Sequence, residues 1–244
     1  MFCVQVSWAR LGDAHEGLLR LLDPRERGRH DATVRPDDRA RFLVGCALSR
    51  LLLGELLGVA PADVPLRRVC PRCGGPHGKA RLDAADPPAP YDFSVTHSGA
   101  VIGVAVCRGG QVGLDVEEDG TPLDVDSAAR AALSDTELAA LNALPPAERR
   151  PAFLRVWTRK EAVLKALGVG LTVSPRELEV SAPGLPPAVL TWPGRPSVVR
   201  PETGLADLVV AGTHPAAVAV TGAGASRVRV EQRERSGLVA GYGR

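Results

Sequence analysis

The six residues Val112-Gly113-Leu114-Asp115-Val116-Glu117 alternate as an extended strand requires. Side chains two apart on a strand share a face, so Leu114 and Val116 point one way and Asp115 and Glu117 the other. One face must be buried while the opposite face carries two adjacent carboxylates. Such a pair repels itself unless a cation lies between its members. Paired hard oxygens suit Mg²⁺, whose remaining positions go to water and phosphate oxygens.

A second segment, Phe153-Leu154-Arg155-Val156-Trp157-Thr158-Arg159-Lys160-Glu161-Ala162-Val163-Leu164-Lys165, reads as a helix. Glu161 and Lys165 lie at i and i+4 on one face, with Lys160 flanking them. Phe153, Trp157 and Leu164 form an apolar stripe that anchors it. A third carboxylate beside two lysines suits a metal bound to a phosphate-rich ligand. An ordinary surface Glu–Lys pair has the same spacing, so this segment decides nothing alone.

Around these two segments the pattern predicts strands at Cys3–Trp8, Phe93–Thr96, Val101–Cys107 and Val112–Glu117. Gly109-Gly110 is expected as a hairpin turn between the last two. Helices are expected at Leu18–Leu22, from Pro36 to about Leu56, after the capping-box sequence Ser134-Asp135-Thr136-Glu137, and over 152–167. Residues 61–92 read as an irregular loop. Strand-like pieces follow at Leu178–Val180, Ala188–Trp192, Leu208–Val210 and Ala216–Val220. Residues 222–244 read as one edge strand, Arg227–Val230, and then a disordered tail. Helices and strands in each half, without strict βαβ alternation, predict an α+β fold with mostly antiparallel sheet.

With 244 residues, 45% hydrophobic and 24% charged, the chain is globular. Net charge is only +2, yet Arg25, Arg27, Arg29, Arg35, Arg39 and Arg41 crowd one short stretch. That clustering fits a multi-phosphate ligand, although a solvated helix face has the same composition. No signal-peptide pattern opens the chain, and the run at Leu51–Leu53 is far too short to span a bilayer. A cytoplasmic protein without membrane contact is expected. Five cysteines do not form a disulfide framework. Cys70-Pro71-Arg72-Cys73 with His77 is half of a zinc motif, and a closed site needs four ligands, so zinc is not expected there.

Taken in order, Gly-x-Asp-x-Glu and then Trp-Thr-x-Lys-Glu-Ala-x-x-Lys some forty residues on resemble the two signature motifs of the phosphopantetheinyl transferase superfamily. Three further segments resemble its longer, monomeric Sfp-type branch: Phe93-Ser94-Val95-Thr96-His97-Ser98-Gly99, Gly75-Pro76-His77-Gly78-Lys79, and Arg41-x-x-x-Gly45-x-x-x-x-Arg50. The likeness spans roughly residues 24–170. Thr96 departs from the usual serine, Ala80 from the expected loop proline, and Leu133-Ser134 from an aromatic often found there.

This resemblance implies two similar α+β halves, 1–112 and 113–221, related by a pseudo-twofold axis with the ligand in the cleft between them. It implies transfer of 4'-phosphopantetheine from coenzyme A to a serine of an acyl, polyketide or peptidyl carrier protein, with Mg²⁺ (or Mn²⁺) and release of 3',5'-ADP. Asp115, Glu117 and Glu161 would hold the metal, with Asp115 also facing the coenzyme A pyrophosphate. Glu161 would accept the serine proton, and Lys165, with Lys160 nearby, would offset charge on the pyrophosphate. Arg50, Lys79 and His97 would grip the 3'-phosphate and its neighbours, Thr96 would add a hydroxyl near the nucleotide, and Arg27 and Arg29 would add phosphate contacts. Two rivals stay open at this point. One is a magnesium enzyme that hydrolyses a nucleotide pyrophosphate. The other is a zinc-loop nucleic-acid module, against which the near-neutral charge and 4% aromatic content count.

Overall fold

The structure is a computed structural model that describes every residue except 70–72, 76–77, 84–88, 121, 171–172, 193–200, 226 and 244. Its α-helices are α1 (Pro24–Ala32), α2 (Pro36–Leu57), α3 (Val125–Ala132), α4 (Asp135–Asn142), α5 (Pro146–Leu167) and α6 (Ser236–Ala240). Its strands are β1 (Phe2–Arg10), β2 (Leu66–Arg68), β3 (Ala80–Leu82), β4 (Tyr91–Ser98), β5 (Val101–Arg108), β6 (Gln111–Val116), β7 (Glu179–Val180), β8 (Val189–Thr191), β9 (Thr203–Val210), β10 (His214–Thr221) and β11 (Val228–Glu234). The architecture is α+β, as expected.

Two sheets lie face to face between two helices. One has the order β11-β1-β5-β4, the other β6-β10-β9. All pairings in both are antiparallel except β1 with β11, which run parallel from Phe2↔Val228 to Trp8↔Glu234. Alternation along each strand sorts its side chains into layers. Ile102, Val104 and Val106 of β5 pack toward α2. Val101, Ala105 and Cys107 of the same strand meet Val112, Leu114 and Val116 of β6 and Val218 and Val220 of β10 between the sheets. Ala217 and Ala219 on the far face of β10 pack under α5.

Leu114 and Val116 thus enter the inter-sheet core, so Gly113 and Asp115 face α5. The glycine is needed there: a Cβ on Gly113 would lie 1.9 Å from the carbonyl oxygen of Ala162 and 2.5 Å from the nitrogen of Ala166. Helix and strand backbones therefore touch at Gly113, Ala162 and Ala166. This contact brings Glu161 and Lys165 to the strand that carries Asp115.

Capping explains several helix starts. Asp23 accepts from the backbone N–H groups of Arg25 and Glu26, and Glu26 returns to the N–H of Asp23. Ser134 and Glu137 form the expected box at α4. Each such cap stabilises by about 1 kcal/mol.

Three expectations are corrected. Gly109-Gly110 does not close a hairpin, because β5 pairs with β1 and β4 while β6 pairs with β10; the chain turns there from one sheet into the other. The segment 61–92 is not wholly irregular, since β2 and β3 pair within it. The tail is not disordered: Arg235 donates its N–H to the Trp8 carbonyl at 2.7 Å, and α6 buries Val239 completely against the α2 layer. Its apolar residues are too few to show periodicity in the sequence, but they fill a gap beside α2.

Candidate active site

β4 and β6 are edge strands of different sheets and run beside each other, joined through side chains. Every second residue of β4 reaches across. Asp92 accepts the Val112 N–H at 2.8 Å and Ser94 accepts the Leu114 N–H at 3.1 Å. Thr96 donates its hydroxyl to Asp115 Oδ1 at 3.3 Å, and Ser98 donates to Glu117 Oε2 at 3.1 Å. The period of two that sorts core from surface thus also forms a polar seam, and the carboxylates stand at its end.

Asp115 is buried, with Oδ1 accepting from Lys165 Nζ at 2.6 Å, while its Oδ2 is buried without a hydrogen-bond partner. Glu117 accepts Trp157 Nε1–H on Oε1 at 3.0 Å. Glu161, half-buried on α5, has Oε1 buried without a partner. All three carboxyls are pushed above the usual carboxylate range, first by loss of water. The charge of Asp115 then raises both Glu117 and Glu161, while the Lys165 ammonium works in the opposite direction on all three.

A buried oxygen with no donor costs about 1–3 kcal/mol, and more when charged. Two such oxygens on mutually repelling carboxylates fit a divalent cation. Among the described residues, no three His, Cys, Asp or Glu side chains are grouped closely enough to hold a metal ion as they stand. An all-oxygen set that leaves several positions for water and phosphate is what Mg²⁺ tolerates. The donor chemistry and the two orphaned oxygens fit the ion. Cys70 and His77 of the half zinc motif lie outside the described residues; Cys73 is exposed.

His97, the next residue after Thr96, turns to the other side of β4. It lines a basic pocket of about 180 Å³ with Arg29, Arg41, Phe42, Cys46 and Arg68. The Arg29 guanidinium stands 5.2 Å over the Phe42 ring. Arg41 donates from Nε to the Gly99 carbonyl at 2.7 Å, which fixes it beside the end of β4. His97 keeps an exposed edge, yet partial burial and then the Lys165 and Arg41 cations hold its pKa below the ordinary histidine value. Burial likewise lowers Arg68 and keeps the Cys46 thiol protonated.

Asp115, Glu117, Glu161, Lys165, His97 and Arg29 are thus brought together or onto the adjoining pocket. Of the other five candidates, Thr96 joins the carboxylates, and four have structural partners elsewhere. Arg50 is fully buried in α2. It donates to Asp23 and Glu26 at 2.9 and 2.7 Å and to the carbonyls of Ala62 and Val64, both at 3.1 Å, so no phosphate can reach it. Lys79 pairs with Asp92 and donates to the Val112 carbonyl at 2.7 Å, pinning the loop before β3 to both sheets. Lys160 points away from Glu161, fully buried against Glu137 and the carbonyls of Ala132 and Pro175. Thr96 turns its hydroxyl to Asp115 and Lys165. Arg27 is exposed and donates to the Leu19 carbonyl.

Sequence reasoning singled out Arg41 only as one of six clustered arginines and as the start of a motif, and missed Arg68 as a pocket residue and Ser98 and Trp157 as partners of Glu117. For Arg41 a signal existed. It lies in the second turn of α2, whereas Arg50 sits between Leu48 and Leu51-Leu52-Leu53. Of two arginines on one helix, the one inside an apolar run is the one to bury.

Comparison with known proteins bears on this arrangement. A sequence profile described as the 4'-phosphopantetheinyl transferase superfamily matches residues 111–219, which include β6 and α5. The 4'-phosphopantetheinyl transferase HetI of Nostoc sp. is 31% identical over 209 residues, covering 86% of this chain and 82% of the relative. The 4'-phosphopantetheinyl transferase of Bacillus subtilis is 30% identical over 137 residues, 56% of each chain. Among solved structures, the holo-[acyl-carrier-protein] synthase of Thermotoga maritima is similar over 46% of this chain and 62% of its own, with a TM-score of 0.36 and 21% identity, too loose a likeness to carry any argument. Kinship with HetI runs well beyond the two short motifs, and the chain belongs to the 4'-phosphopantetheinyl transferase superfamily.

Proposed function

We propose that the protein is an Sfp-type enzyme that moves 4'-phosphopantetheine from coenzyme A to a serine of a carrier protein, with Mg²⁺ held by Asp115, Glu117 and Glu161. The observation that carries this reading is the pairing of those carboxylates, two with orphaned buried oxygens, with a basic pocket one residue away at His97. Coenzyme A would lie across the seam between the sheets, with its 3'-phosphate toward Arg41, Arg29 and His97 and its pyrophosphate toward Lys165. Both ends come from one chain, which supports a monomer as the active form.

When bound, the cation offsets the charge that develops on the pyrophosphate. The chain's own groups do the rest. Lys165 Nζ stands at Asp115 and offers a donor to the leaving phosphate. Glu161, beside the reacting groups, would take the serine proton as the serine oxygen attacks the β-phosphorus. The bond from that phosphorus to the bridging oxygen breaks, and 3',5'-ADP departs with the electron pair.

The test is intact-mass measurement of apo acyl, polyketide and peptidyl carriers after incubation with coenzyme A, with EDTA or with Mg²⁺. Gain of one phosphopantetheine only with Mg²⁺ is expected, alongside one equivalent of 3',5'-ADP. Release of 3',5'-ADP without any carrier would instead indicate a pyrophosphate hydrolase.

A further inference from the structure

Glu117 differs from the other two carboxylates in how it is held. Trp157 Nε1–H donates to one of its oxygens at 3.0 Å and the Ser98 hydroxyl to the other at 3.1 Å. Both donors are neutral, so they orient the group without cancelling its charge, whereas Asp115 has the Lys165 ammonium directly on it. Each donor is itself fixed. Ser98 ends β4 and accepts the Glu118 N–H at 3.0 Å, which sets its hydroxyl. Trp157 stacks on Phe153 with ring centroids 6.3 Å apart and planes 14° from parallel. The two donors arrive from different layers, β4 of one sheet and α5 beyond the other.

We propose that Ser98 and Trp157 are positioning residues that clamp both oxygens of Glu117 and aim its remaining lone pairs at a divalent cation. This rests on the reading that Asp115, Glu117 and Glu161 hold such a cation. Carboxylates that ligate metals are ordinarily oriented by hydrogen-bonding partners, and loss of a partner weakens metal affinity by about 10–100-fold.

The test is binding of Mn²⁺ alone to the full chain, followed by electron paramagnetic resonance of the free ion. Trp157→Phe keeps an aromatic ring beside Phe153 while removing the N–H with part of the indole; Ser98→Ala removes the hydroxyl. Each is expected to weaken Mn²⁺ about tenfold or more, and Ser98→Thr, which restores a hydroxyl, to recover most of the affinity. In a Glu117→Gln background neither change should weaken Mn²⁺ further, because the clamp acts only through Glu117. Equal loss in both backgrounds would make Trp157 a general packing residue and overturn the inference, and so would unchanged affinity in folded single variants. If Asp115→Ala and Glu117→Gln also leave Mn²⁺ binding intact, the cation site falls and the clamp with it. If those two abolish binding while the clamp variants do not, only the clamp is lost. A Trp157→Phe chain that fails to fold leaves the Ser98→Ala and Ser98→Thr pair to decide.

Discussion

Helices α2 and α5 are built alike and serve different parts of the site. Each has 22 residues, opens on proline and ends on a left-handed glycine, Gly58 at φ 68° and Gly168 at φ 72°. Each covers one sheet and buries an arginine completely: Arg50 in α2, Arg159 in α5. Arg159 binds Asp207 through two parallel bonds of 2.8 and 2.6 Å and donates to the carbonyls of Ser181 and Ala182 at 2.6 and 2.9 Å. Beyond this shared frame, α2 turns Arg41 and Phe42 to the basic pocket, while α5 turns Glu161 and Trp157 to the carboxylates. Most of each helix is therefore spent on the fold. Chemistry belongs to the few residues that face the neighbouring strand edges.

Asp115 and Arg159 should differ most. Asp115→Ala should reduce carrier modification on the order of 10²–10³-fold, a loss similar to removing one fixed electrostatic group from a transition state. Arg159→Ala should leave the residual chemistry of folded molecules unaltered. Single-turnover transfer, read by intact mass and corrected for folded fraction, separates the two. Full transfer by Asp115→Ala in EDTA would end the metal reading.

Buried arginines supply the next effect. Arg50→Ala strands Asp23 and Glu26, and Arg159→Ala strands Asp207, so each should cost about 3–5 kcal/mol in urea unfolding. Neither should change the preference for coenzyme A over dephospho-coenzyme A. A folded Arg50→Ala enzyme that loses this preference would return Arg50 to the phosphate site.

Arg41 should behave in the opposite manner. Arg41→Ala is expected to leave urea unfolding within about 1 kcal/mol and to raise KM for coenzyme A about tenfold or more, as loss of a charged hydrogen bond does. Dephospho-coenzyme A should be used equally by both proteins. Equal KM changes for the two substrates would remove Arg41 from the 3'-phosphate.

The smallest effect concerns pH and separates the two ends of the site. The carboxyls of Asp115, Glu117 and Glu161 are raised in the folded state, so that state binds the extra protons. Their contribution is fully present below about pH 4 and is lost as pH rises through the raised values. His97 is shifted down, so its contribution is present above about pH 6.5 and is lost as pH falls through its lowered value. Without metal, Glu161→Gln relieves repulsion and should raise Tm at neutral pH by about 2–4 °C, the response of a chain this size to ~1 kcal/mol. Saturating Mg²⁺ should reverse the order of wild type and variant. Calorimetry in EDTA and in Mg²⁺ checks both signs; an unchanged Tm in EDTA would mean that Glu161 feels no neighbouring charge.

Features that depend on local periodicity were legible in the residues alone. Alternation in 112–117 sent Leu114 and Val116 inward and left Asp115 and Glu117 together; i, i+4 spacing put Glu161 and Lys165 on one face; Gly58 and the Ser134 cap set helix ends. These follow from the strand and helix repeats, which need no partner to be read. What each charged side chain meets depends instead on long-range packing. Arg50, Lys79 and Lys160 resemble ligand-binding cations in a string of letters, and each is claimed by a carboxylate from another segment: Glu26, Asp92 and Glu137. Gly109-Gly110 carried a hairpin signal, yet β6 found its partner about a hundred residues later in β10. The tail joined the first sheet through β11 because the edge of β1 still had hydrogen bonds to make. A buried cation must find its counter-charge wherever the fold supplies one, since leaving it unpaired costs several kcal/mol. That requirement acts across the whole chain, and no local pattern records it.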